Sequence, residues 1–151
     1  MPDSSYALDQ TAITELTKDT LFELVRTYQA FSAYSEAFVQ QFDLTPAQFD
    51  VIATLGKTTG LNTGEIGERT LITKGTLTGV IDRLEKKGLV QREVPAQDRR
   101  SVVVKLTADG QALFNRAFPT HVGDLERRFG QLESSELELL RVLLNRLRQV
   151  F

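Results

Sequence analysis

The 151-residue chain contains no cysteine and one histidine, His121. The first absence excludes disulfides, thiolate metal sites and any signal read by a thiol. The second leaves no histidine cluster for a metal, and the sequence reads His121 as a packed or exposed ring rather than a ligand or proton sensor. No glycine-rich phosphate loop occurs, and Glu65 and Glu68 are more simply a helix cap and a solvated helix position, so an enzyme is not expected. Also missing are an apolar run long enough to span a bilayer and a charged-then-apolar start of the secretory kind. Together these absences lead to an expectation of a soluble, cytoplasmic protein without metal, cofactor or membrane partner. The 41% of hydrophobic residues suffices for the core of one compact domain.

Between Thr63 and Thr107 two short helical patterns are followed directly by a strand-like one. The first helix covers Thr63 to Thr70, and Asn62 with Glu65 three residues later forms a capping box at its start. Leu71, Ile72 and Thr73 make the turn. A second helix then carries Leu77, Val80, Ile81 and Leu84 on one buried face, with Thr73 as N-cap and Gly88 as its stop. Opposite that face stand Gly75, Gly79, Asp82 and Lys86, flanked by Thr76, Thr78 and Arg83. Each glycine costs about 1 kcal/mol relative to alanine in a helix. A merely solvated face leaves that cost uncompensated, whereas a helix backbone that must approach another surface closely accounts for it. Threonine hydroxyls and methyls suit base edges, and Lys74 can reach a guanine or a phosphate. Asp82 is unfavourable beside a polyanion, and Lys86 at i+4 is its expected partner.

Beyond Gly88, the segments Leu89 to Val94 and Ser101 to Leu106 are rich in β-branched residues and read as a hairpin. Their connection, Pro95 to Arg100, is polar and ends in two adjacent arginines, suited to lowering a guanidinium into the minor groove of a duplex. The pattern is a helix-turn-helix with a wing, and its expected partner is double-stranded DNA. A winged helix that binds protein instead is the alternative, distinguished by an absence of DNA binding at low salt.

The run Asp98-Arg99-Arg100-Ser101-Val102-Val103-Val104-Lys105-Leu106-Thr107, followed by Gly110, resembles the D-x-R and L-T-x-x-G wing signature of the multiple antibiotic resistance regulator (MarR) family of winged-helix transcription regulators. Leu84 to Arg92 is similar to the segment that ends that family's recognition helix and opens its wing. The resemblance implies that Asp98 holds the wing by pairing with a nearby arginine. It also implies that Arg100 or its neighbour Arg99 enters the minor groove, and that Lys74, Thr76 and Thr78 work in the major groove. Gly79 departs from the family, where arginine is frequent at that position, so the operator of a relative cannot be borrowed. A small organic effector, often an aromatic acid, bound between the dimer-forming helices and the winged lobe is a further implication.

Charge is distributed to match. From Lys57 to Lys105 ten basic residues face six acidic ones, whereas the remainder of the chain carries eight against fourteen and the whole has a net charge of −2. The positive charge lies in the winged lobe, and an acidic remainder would help to orient the protein on a duplex.

The flanks read as a second layer. Leu21, Leu24, Val25, Tyr28, Phe31, Phe38 and Phe42 recur at helical spacing, so a long amphipathic helix ends near Phe42. Thr45, Pro46 and Gln48 then open a largely buried helix through Phe49, Val51, Ile52 and Leu55. After the wing, Thr107 caps a helix in which Pro119 is expected to produce a kink. A last helix opens at Glu133 or Ser134, and its Leu140, Leu143, Leu144, Leu147 and Phe151 are expected to form a homodimer interface. The expected organisation is therefore mainly α with a small β-hairpin wing. An N-terminal dimerisation helix occupies 1–43, a winged helix-turn-helix lobe 44–107 and C-terminal dimerisation helices 108–151. Two-fold symmetry predicts a pseudo-palindromic operator with half-sites about 10 base pairs apart.

Overall fold

In a computed structural model describing residues 10–70, 72–98 and 100–151, six helices and three short strands follow one another. They are α1 (Gln10–Gln40), α2 (Pro46–Leu55), β1 (Leu61–Asn62), α3 (Thr63–Arg69), α4 (Lys74–Lys86), β2 (Val90–Glu93), β3 (Val103–Leu106), α5 (Ala108–Phe129) and α6 (Ser134–Arg148). These fall into two compact units, one ending at Pro46 and the other running from Ala47 to Phe151. Two residues named above, Leu71 of the turn and Arg99 of the wing, lie outside the described residues.

The first unit is built on α1, which contains neither glycine nor proline and so runs uninterrupted for 31 residues. Near its end Tyr34, Phe38 and Phe42 form a ladder, with ring centroids 6.4 and 5.4 Å apart. Asp43 closes the helix in the left-handed region at φ 56°, a conformation that aspartate tolerates, and the Leu44 N–H donates back to the Val39 carbonyl at 3.2 Å.

In the second unit α4 supplies Leu77, Val80, Ile81 and Leu84, all buried, in the three- and four-residue steps the sequence displays. They share a core with Phe49, Val51, Ile52 and Leu55 of α2, Ile66 of α3, Val90 and Val104 of the sheet, and Leu113, Phe114 and Ala117 of α5. Asn62 caps α3 as its spacing predicts. Its Oδ1 accepts from the Glu65 N–H at 2.9 Å, while its own N–H donates to Glu65 Oε2 at 2.8 Å.

The wing is more than the expected hairpin. β3 is the central strand of a three-stranded antiparallel sheet in the order β1-β3-β2, with Leu61 opposite Val104 and Val90 opposite Leu106. At two residues, β1 is too short to display any period, and its strand character comes only from the edge it pairs with. β2 and β3 are also shorter than the β-branched runs suggested. Val94 and Val102 lie beyond the last paired residues and are exposed.

The segment Leu106-Thr107-x-x-Gly110 joins the wing to α5, and the structure shows what each polar position does. The Thr107 hydroxyl donates to the Gly88 carbonyl at 2.6 Å and accepts from the Gly110 N–H at 3.1 Å, so one side chain both caps α5 and ties it to the exit of α4. A Cβ on Gly110 would collide with the Leu89 carbonyl oxygen. Because that neighbour is backbone, it cannot rotate away. Gly110→Ala is therefore expected to destabilise the second unit by about 2 kcal/mol or more, a loss read as a lowered urea midpoint; an unchanged midpoint would mean that α5 can shift at no cost.

α5 continues through Pro119 as one helix to Phe129. α6 opens with a capping box between Glu133 and Glu136 and buries none of its residues. Among the described residues, no helix is long and apolar enough to cross a membrane.

Candidate nucleic-acid interface

The turn after α3 delivers Thr73 in an extended conformation at the N-cap of α4. Its hydroxyl makes no cap to the helix backbone and instead donates to Thr76 Oγ1 at 3.1 Å, linking two threonines on the exposed side. Lys74, Gly75, Thr76, Thr78 and Arg83 are exposed, and Gly79 and Asp82 are half-buried, on the side away from Leu77, Val80, Ile81 and Leu84. No heavy atom lies within 4 Å of where a Cβ would stand on Gly75, and on Gly79 such an atom would meet only the Arg83 Nη2 at 3.4 Å. Internal packing therefore requires neither glycine. The face they leave bare points outward.

In the wing, the Asp98 carboxylate accepts from the backbone N–H of Arg100 at 3.0 Å, and the Ser101 N–H donates to the Asp98 carbonyl at 3.4 Å. Asp98 thus organises the loop through a main-chain donor of Arg100. A short aspartate side chain readily reaches its own backbone two residues on. The Arg100 residue is exposed at the tip.

The expected Asp82–Lys86 pair is replaced by a different arrangement. Arg92, on β2, donates from Nη2 to Asp82 Oδ1 at 2.5 Å, from Nη1 to the Glu85 carboxylate, and from its backbone N–H to Glu85 Oε1 at 3.2 Å. A planar fork aims separate N–H groups at two carboxylates at once. The hydrogen bond to Asp82 raises the Arg92 pKa above its ordinary value, with burial opposing and Glu85 adding to the rise. On the same strand Glu93 pairs with Lys105 of β3. Sequence reading missed Arg92 because no period relates positions across a helix–strand junction. Its place just beyond a helix carrying both Asp82 and Glu85 was the available clue.

His121 stacks edge-on against Phe49 with ring centroids 5.1 Å apart, and burial lowers its pKa against the opposing pull of Asp124. Among the described residues, no group of acidic or histidine side chains could hold a metal ion.

With this geometry in view, residues 42–101 match the MarR family profile. The homoprotocatechuate degradative operon repressor of Escherichia coli is 31% identical over 111 residues, covering 74% of this chain and 72% of that protein. The chain belongs to the MarR family. A solved complex of Staphylococcus aureus MepR with DNA is 26% identical, with a TM-score of 0.72 over 88% of this chain and 97% of that one. Bordetella bronchiseptica BpsR, whose DNA binding is regulated by 6-hydroxynicotinic acid, is also 26% identical, with a TM-score of 0.73 over 97% and 98% of the two chains. This MarR protein is accordingly a DNA-binding transcriptional regulator of winged-helix fold. Of the residues named from its sequence, Lys74, Thr76, Thr78 and Arg83 share one exposed face of α4 with the two glycines, and Arg100 stands at the wing tip. Leu140, Leu143, Leu144 and Phe151 are exposed and Leu147 is half-buried.

Proposed function

We propose that this regulator is a repressor which binds a pseudo-palindromic operator as a homodimer, inserting α4 into the major groove and Arg100 into the adjacent minor groove. A small aromatic acid or similar organic effector modulates that grip. One observation carries the DNA reading. Around the bare glycines the acidic side chains of α4 are engaged by an internal cation while Lys74, Arg83 and Lys86 face solvent, so the surface offered outward is positive. Dimerisation is supported by the apolar surface that both termini leave uncovered: Leu21, Phe22 and Tyr28 on α1 and Leu139, Leu143 and Leu144 on α6 are all exposed. For the effector, a cleft of about 510 Å³ is lined by Lys57, Phe114, Asn115, Phe118, Val122 and Glu126. The Lys57 ammonium lies 5.6 Å from the centre of the Phe118 ring, placing a cation beside aromatic walls. The names of the E. coli and Bordetella relatives, which refer to aromatic acids, support the same ligand class.

Footprinting on genomic fragments is expected to protect two half-sites about 10 base pairs apart. On the protected duplex, Arg100→Ala is expected to weaken binding roughly tenfold and to lower the slope of log affinity against log salt by about 0.9. Unchanged affinity and slope would remove the wing arginine from the interface.

A further inference from the structure

α4 contains two acids, Asp82 and Glu85, and Arg92 holds both. The basic residues of α4 itself, Lys74, Arg83 and Lys86, are by contrast exposed. The Arg92 side chain is 31% exposed, while those of Asp82 and Glu85 are 49% and 41% exposed, so without Arg92 both carboxylates would stand charged at the surface of the helix that meets the duplex. Solvent-exposed ion pairs contribute little to folding. Their effect on a phosphate backbone within a Debye length, about 10 Å at 0.1 M salt, is a separate matter.

We propose that Arg92 is a positioning residue for DNA binding that acts as an internal counter-ion, cancelling the two carboxylates of the recognition helix so that α4 can enter a field of phosphates. The pairing also joins β2 to α4, but masking of charge is the function assigned. Arg92 itself touches no phosphate in this scheme. The inference rests on the DNA-binding reading above and assigns to that surface a residue which works through its neighbours.

The test measures affinity for a fluorescein-labelled mixed-sequence duplex of about 30 base pairs across a salt series, because masking acts on any phosphate backbone. Arg92→Ala is expected to bind about tenfold more weakly at low salt, with its thermal midpoint and oligomeric mass close to wild type. Adding Asp82→Asn and Glu85→Gln to that variant is expected to restore affinity to within about threefold of wild type, although the strand–helix clamp is still gone. A triple variant as weak as Arg92→Ala would overturn the proposal, since Arg92 would then act by direct contact or by the clamp alone. Should Arg92→Ala fail to fold, Asp82→Asn with Glu85→Gln in the presence of Arg92 decides the matter. Affinity equal to or tighter than wild type supports masking, and a tenfold loss refutes it by showing that the acids themselves contact DNA. If the wild-type protein binds no duplex even at low salt, the underlying reading has failed, an outcome distinct from any difference among variants.

Discussion

Gly75→Leu and Gly79→Leu are each expected to melt at a higher temperature than the wild-type protein while losing operator affinity by about a hundredfold or more. The two effects have opposite signs for separable reasons. Leucine is favoured over glycine in a helix interior by roughly 0.8 kcal/mol. At Gly75 there is open space for it, and at Gly79 the neighbouring atom belongs to the mobile end of Arg83. The fold therefore has no reason to resist either change. DNA has such a reason, because an isobutyl group on the outward face of α4 would stand between the helix backbone and the floor of a groove. Differential scanning calorimetry and operator titration on the same preparations would measure both halves. Wild-type affinity in both variants would show that close approach is not why these glycines are there, and a lowered melting temperature would show that the face is not open.

The second large effect concerns assembly. Leu140→Glu combined with Leu144→Glu places two charges one turn apart on a surface where the leucines are 40% and 46% exposed within a single chain. Since neither residue is buried there, the folded monomer should tolerate the change, and far-ultraviolet circular dichroism should be unaltered. Sedimentation should move from a dimer to a monomer mass. Operator affinity should fall by about a hundredfold or more, because the second half-site is no longer bound at the effective concentration that linkage provides. A double variant that still sediments as a dimer would exclude these leucines from the interface. A wild-type chain that sediments as a monomer would exclude the interface altogether.

The parts legible in sequence are those whose cause lies within a few residues. Leu77, Val80, Ile81 and Leu84 recur at the pitch of a helix, so their shared burial follows from geometry alone. Asn62 and Glu65 stand three residues apart, the span of a capping box, and Thr107 likewise caps α5 from the N–H three residues on. Gly88, with φ 72°, ends α4 in the left-handed region that glycine enters at least cost.

Tertiary structure decided what depends on chain segments meeting after separate paths. β1 is a strand because β3 offers it an edge, with Leu61 opposite a residue more than forty positions away. Asp82 takes Arg92 over Lys86 because β2 turns back beside α4 and brings a forked donor within reach of two carboxylates. The Thr107 hydroxyl binds the Gly88 carbonyl across the whole wing, and Gly110 is required only because α5 presses on Leu89. Period, propensity and caps act through bonds and turns that a linear reading can count. The choice of partner for a charge or a strand edge depends on direction in space, which exists only once the core has closed.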